Sequence, residues 1–271
     1  MNKKELENEV LTGGSMNHTE RIGATVHKTA KGHPMVRSYL QYLEKAGMTG
    51  VPCFLGLDEQ EREVFTYLPG KTLGRDFDHN HPCLYSDETI IDAARFMRKL
   101  HDMSIGFLPE AINNKWNSPY FRVEEYETIC HGDAAIWNFV FTNDRPTGLI
   151  DFEQAYPGTR IWDVTSTLFS VVPLTYFVYD PELRDAVAYE ASKHAASRKR
   201  RIQLFFDAYG MECPGNIAEL VAQRIQIDFC DDTIQRAAAG DEACKQMIER
   251  GDLAHYYKII SHLRAHGNEW R

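Results

Sequence analysis

The chain has 271 residues, of which 43% are hydrophobic and 25% charged, a globular balance long enough for one large domain or two modest ones. Thirty basic against 39 acidic residues leave a formal charge of −9, which argues against nucleic acid or an anionic membrane surface as partner. Cys53, Cys83, Cys130, Cys213, Cys230 and Cys244 form no C-x-x-C pair, and a chain of this size needs no disulfide staple, so they read as reduced thiols. Met1-Asn2-Lys3-Lys4-Glu5 opens without an apolar signal region and no run approaches the roughly 18 apolar residues of a membrane span; the expectation is a cytoplasmic protein.

The first third reads as strand-rich. Val10 to Thr12, His18 to Ile22 and Ala24 to Thr29 are short segments punctuated by Gly13, Gly14 and Gly23, the pattern of an antiparallel meander. From Pro34 to Ala46 the apolar set Val36, Tyr39, Leu40 and Leu43 recurs at helical spacing, with Pro34 suited to the first turn and Gly47 to the C-terminal cap. Val51 to Leu57 and Glu63 to Tyr67 predict two further strands, and Leu68-Pro69-Gly70 a turn that links to a second lobe. The stretch to Tyr85 is irregular. It contains His79, His81 and Cys83 in alternation, which without an evident fourth ligand reads as a polar loop rather than a zinc site.

Ser86 is placed to cap a helix in which Ile90, Ala94, Met97 and His101 share one face. Glu127 to Cys130, Phe139 to Thr142 and Thr147 to Ile150 predict short strands, with a turn at Asn143-Asp144-Arg145-Pro146. Beyond Asp163 the pattern is almost wholly helical, over Pro181 to Ala208, Ile217 to Ala239 and Glu242 to His266. The sum is an α+β fold with residues 1–70 as a small sheet lobe that binds nucleotide and 71–271 as a mainly helical lobe for catalysis and acceptor binding.

The chemistry is concentrated in His131-Gly132-Asp133-Ala134-Ala135-Ile136-Trp137-Asn138 and, across a hairpin, Leu149-Ile150-Asp151-Phe152-Glu153. Asp133 precedes Asn138 by five residues on a loop entering an apolar strand; Asp151 ends the next strand, so the hairpin returns it beside Asn138. Phosphoryl transfer needs such a corner. The donor's charge must be met by a hard cation such as Mg²⁺, which takes carboxylate and amide oxygens, and a carboxylate must orient the acceptor hydroxyl and take its proton. Asp151 and Asn138 fit the first task and Asp133 the second.

These motifs resemble the aminoglycoside phosphotransferase and choline kinase-like family, whose fold is the two-lobed protein-kinase-like one. His131-Gly132-Asp133 stands where protein kinases have H-R-D, Asp151-Phe152-Glu153 where they have D-F-G, and Ala155-x-x-Gly158-x-Arg160-x-x-Asp163 follows as the family's continuation. The resemblance implies ATP or GTP as donor, Mg²⁺ as cofactor and a small molecule as acceptor. It places Lys28 on the donor's phosphates, Gly13-Gly14-Ser15 in the phosphate-covering turn, and Tyr67 and Leu68 in the hinge beside the purine. His131 is expected to bond backbone, and Asp163 to anchor the catalytic loop.

One departure is visible in the residues. The helix after the lysine strand, where the family offers a glutamate to that lysine, has no acid in Met35-Val36-Arg37-Ser38-Tyr39, and Glu44 lies far along it. That departure keeps open a second class of function, a nucleotide-binding pseudokinase with a scaffolding role. Asp228, Asp231 and Asp232, at i, i+3 and i+4 of one helical stretch, form a candidate wall for an amine-bearing acceptor.

Overall fold

The structure is a computed structural model that describes residues 8–11, 19–29, 33–74, 76, 80–114, 116, 126–180 and 182–271. Strands β1 (Asn8–Val10), β2 (Thr19–Ile22), β3 (Thr25–Lys28), β4 (Phe54–Leu57) and β5 (Glu63–Thr66) form an antiparallel sheet in the order β1-β2-β3-β5-β4. Between β3 and β4 runs α1 (Pro34–Lys45), with His33 accepting from the Met35 amide at its N-terminus and Met35, Val36, Tyr39, Leu40 and Leu43 buried. Its pattern of apolar positions is why it docks: Tyr39 packs on Phe107 and Phe152 and its hydroxyl is 2.5 Å from Ser104 Oγ.

The second lobe begins with α2 (Asp87–Ser104), capped by Ser86 accepting from the Thr89 amide, and the short α3 (Leu108–Asn113). Then come β6 (Thr128–Cys130), β7 (Phe139–Thr142), β8 (Arg145–Leu149) and β9 (Tyr156–Gly158), paired as two antiparallel ribbons, β6 with β9 and β7 with β8. The turn between β7 and β8 is shorter than the sequence predicts. Asn143 and Asp144 alone make it, both with positive φ, and Pro146 lies inside β8, opposite the register shift between Val140 and Phe141, where a missing N–H is tolerated.

Helices complete the lobe: α4 (Arg160–Val171), α5 (Ala191–Tyr209), α6 (Ile217–Ile225), α7 (Asp232–Ala238), α8 (Glu242–Glu249) and α9 (Asp252–His266). Three helical expectations are corrected. Between α4 and α5 the chain forms an antiparallel hairpin, β10 (Phe177–Asp180) with β11 (Asp185–Ala188), held at one end by Tyr179 stacked on Tyr85 with ring centroids 4.2 Å apart. The stretch from Ile217 to Ala238 is interrupted by a π-helical turn over Gln226–Asp231. Glu242 to His266 is broken at Gly251, whose φ of 84° belongs to the left-handed region.

The β7–β8 ribbon sits where the two lobes meet. Lys71 exchanges two backbone hydrogen bonds with Phe141, and Gly50 accepts from the Leu149 amide at 2.8 Å. Gly50 has φ +79°, and a Cβ there would lie 2.4 Å from the Thr147 carbonyl oxygen. Gly50→Ala is therefore expected to lose about 1–3 kcal/mol of stability from backbone strain and displacement of the ribbon, read as a lower urea midpoint with an unchanged slope; a parental midpoint would refute this account of the contact.

Candidate active site

A single buried carboxylate organises the catalytic loop. Asp163, fully buried in the first turn of α4, accepts from the His131 amide at 2.8 Å, the Gly132 amide at 3.0 Å and His101 Nε2 at 2.9 Å. Burial alone would raise its pKa, but the His101 hydrogen bond and nearby positive charge bring it down to about 2. His101 is fixed in turn by the Tyr209 hydroxyl, 2.7 Å from Nδ1. His131 is buried and held neutral by its burial: its Nε2 lies 3.0 Å from the Ile150 carbonyl and its Nδ1 accepts from the Asp133 amide. Both histidines are thus part of the scaffold. Gly132, at φ +86°, passes so close to Gln154 that a Cβ would meet its carbonyl oxygen at 2.2 Å.

The loop delivers Asp133 to the cleft. Asp133 Oδ2 accepts from Asn138 Nδ2 at 2.8 Å and lies 3.4 Å from Trp137 Nε1; Oδ1 has no hydrogen-bond partner among the described residues. Desolvation, reinforced by the nearby Asp151 charge, pushes Asp133 up to about 6. Asn138 also donates to the Asp133 carbonyl, which commits its amide nitrogen and leaves its oxygen without a hydrogen-bond partner among the described residues. The Ile150 amide donates to the Asn138 carbonyl at 2.9 Å, so the hairpin brings Asp151 beside Asn138 as its spacing predicts. Asp151 has φ 71° and ψ 57°, a left-handed conformation that costs a non-glycine residue on the order of 1–2 kcal/mol and concentrates at functional sites. One carboxylate and one free amide oxygen facing a wet cleft are the donor set that Mg²⁺ takes while keeping its waters.

Lys28 reaches the same place from β3. Its Nζ donates to Asp151 Oδ1 at 2.6 Å and to Glu153 Oε1 at 3.0 Å. Burial disfavours the ammonium, but the two carboxylates outweigh it and leave Lys28 raised above its ordinary value. Glu44 is not its partner; it neighbours the Cys53 thiol. The acid that the helix lacks is replaced from the catalytic lobe by Glu153, whose position two residues after Asp151 was the available sequence signal. Lys28, Tyr67, Leu68, Asp133, Asn138 and Asp151 all line one cleft of about 400 Å³. Gly13, Gly14 and Ser15 lie outside the described residues, as does His79. His81 Nδ1 and Cys83 Sγ are 3.0 Å apart and Asp144 lies nearby, with ligand atoms of the three within 4.8 Å; no fourth such group joins them among the described residues.

Two elements of the helical lobe finish the site. Arg224, buried near the end of α6, donates to the Gly132 carbonyl and lies 3.2 Å from the Tyr156 hydroxyl. Asp228 is its ion-pair partner. This revises the acidic wall expected from the sequence: Asp228 balances a buried guanidinium that braces the catalytic loop, Asp232 faces Arg236 at 3.7 Å, and Asp231 accepts from Gln226 at 2.7 Å. Beside Asp133 the wall is aromatic. Trp137 meets Phe229 edge-on and Phe229 stacks on Tyr256 with centroids 4.9 Å apart, while Tyr256 is near enough to Asp133 to feel its charge.

Comparison with known proteins agrees with this geometry. Residues 119–202 match the model of the phosphotransferase enzyme family. The trifolitoxin immunity protein of Rhizobium leguminosarum bv. trifolii is 28% identical over 208 residues, which is 74% of this chain and 73% of that protein. Among solved structures, an amicoumacin kinase in complex with AMP-PNP and Ca²⁺ superposes with a TM-score of 0.59 at 13% identity, over 96% of this chain and 88% of that one. A putative aminoglycoside phosphotransferase of Ralstonia eutropha gives 0.57 at 16%, over 96% and 93%, and a choline kinase of Cryptosporidium parvum 0.56 at 13%, over 100% and 94%. The fold is protein-kinase-like, and the matches support a phosphotransferase.

Removing the anchor tests the scaffold. Asp163→Ala strands His101 and two loop amides in a dry interior, and the loss expected for breaking such a buried charged network is about 3–5 kcal/mol. The pH dependence has a definite sign: Asp163 is depressed in the folded state, so its contribution is present above an ordinary carboxylate pKa of about 4 and is lost as pH falls toward about 2. Chemical denaturation across that acid range should show the parent losing stability that Asp163→Ala does not have to lose.

Proposed function

We propose that this chain transfers the γ-phosphoryl group of ATP or GTP to a hydroxyl of a small acceptor, with Mg²⁺ held by Asp151 and Asn138. The observation that carries the reading is Asp133, a carboxylate pushed up to about 6 in the cleft, with one oxygen tied to Asn138 and Trp137 and the other open. A group of that kind is poised near neutrality, where a base that orients a hydroxyl and takes its proton works best. A nucleotide-binding scaffold without turnover has no use for it.

The roles follow from placement. Tyr67 and Leu68 flank the purine, and Lys28 exchanges its bond to Asp151 for phosphate oxygens. Mg²⁺ supplies charge neutralisation to the donor's phosphates, a stabilisation that is worth most where water is excluded. Asp133 Oδ1 receives the acceptor hydroxyl, held within reach by the Asp133 to Asn138 bond. The apolar faces of Trp137, Phe229 and Tyr256 receive the body of the acceptor, and such faces also suit an amine through cation–π attraction. The similarity to a trifolitoxin immunity protein puts antimicrobial compounds first among acceptors to assay by nucleoside diphosphate release.

Two substitutions test the assignment. Asp133→Asn should cut kcat by roughly 10²- to 10⁴-fold with nucleotide affinity retained, and parental kcat/KM should fall as pH drops through about 6, since the base works deprotonated. Because burial penalises that charge, the same variant should be more stable than the parent at neutral pH by about 1–2 kcal/mol; full turnover in it would remove Asp133 from the reaction. Asp151→Ala should abolish the metal-dependent part of nucleotide binding, since Asn138 alone offers a neutral oxygen, and a calorimetric titration unchanged from the parent would refute that placement.

A further inference from the structure

The cleft contains an ion pair that the donor site does not use. Arg37 of α1 donates through Nε to Glu63 Oε1 at 2.6 Å, and Glu63, the first residue of β5, has a side chain only 2% exposed. Glu63 is also the cross-strand partner of Lys28 in the β3–β5 register. Directly opposed residues in an antiparallel pair project to the same face with Cβ atoms about 4.5–5.5 Å apart. Lys28 and Arg37 therefore flank one buried carboxylate, and all three side chains line the same cleft.

We infer that Arg37 is a positioning residue for Lys28: by holding the Glu63 carboxylate, it keeps that carboxylate from capturing the lysine and leaves Lys28 available to the phosphates of the donor. The connection between helix and sheet is transposed, with the base on the helix and the acid on the strand. A buried carboxylate that loses its cation is costly and takes the nearest replacement, and the nearest long flexible ammonium is the one directly across the sheet. A guanidinium is suited to the holding role, since its planar fork stays charged and keeps a fixed geometry. Lys28 is left with Asp151 and Glu153, both at the cleft floor where the phosphates are proposed to bind.

This rests on the proposed role of Lys28, and the test separates the two. The measurement is calorimetric affinity for Mg-ATP and Mg-GTP at alkaline pH, with KM and kcat alongside. Lys28→Ala comes first: parental affinity there would overturn the donor site itself. If affinity falls, Arg37→Met should weaken nucleotide binding by about tenfold or more, the scale of one charge-assisted hydrogen bond, raising nucleotide KM more than it lowers kcat. Adding Glu63→Gln to Arg37→Met should restore affinity to within about threefold of the parent, because the captor has lost its charge. Arg37→Lys, which keeps a cation beside Glu63, should bind close to the parent and serves as the reference if Arg37→Met does not fold, with Arg37→Gln then carrying the suppressor test. Parental affinity in the neutral single variant, or a folded double variant that stays as weak as the single one, would overturn the inference.

Discussion

Everything in the site hangs on a carboxylate that never meets the cleft. Asp163 collects two consecutive backbone amides and an imidazole, and an anion so satisfied in a dry interior is a rigid point, since each bond lost would leave a buried charge short of partners. From that point the chain reaches Asp133 in two residues. Arg224 grips the other side of the same turn through the Gly132 carbonyl, so the loop is held by a negative group at its amides and a positive group at its carbonyl. The geometry of Asp133 is thereby set by α4 and α6, elements that do not carry the reacting groups.

The charges that do face the cleft are arranged by a different logic. Asp133, Asp151, Glu153 and Glu63 crowd one region, and like charges at short range in poorly hydrated surroundings must be offset or titrated. Lys28 offsets two of them and Arg37 a third, while Asp133 is the one whose pKa moves furthest upward. Acid–base competence at Asp133 is thus partly a by-product of satisfying its neighbours first.

The sequence made the local parts of this legible and the pairings between distant residues less so. Strands β2, β3 and β7 and helices α1 and α2 follow from alternation, 3.6-residue spacing and caps, and the Asp133, Asn138 and Asp151 corner follows from a five-residue spacing and a hairpin. The β10–β11 ribbon was hidden because Glu182, Leu183 and the alanines that follow favour helix; packing of Tyr179 on Tyr85 overrides that preference. Glu63 with Arg37, 26 residues apart, depends on how a helix sits on a sheet, which no spacing rule encodes. The acidic triplet near Asp228 misled for the opposite reason: its spacing was read correctly as one helical face, but the ion pair with Arg224 is a tertiary use of that face.

The π-helical turn at Gln226–Asp231 separates two jobs along one rod. Before it, Arg224 braces the catalytic loop; within it, Phe229 contributes to the aromatic wall beside Trp137. Such a turn holds one residue more than the α-helical turn it replaces, and each helical residue accounts for about 100° of rotation. Gain or loss of one residue there would re-aim everything downstream, including the wall, while leaving the brace in place. The segment behaves as a length-coded adjuster, through which a lineage of such proteins can change what it accepts without disturbing how it reacts.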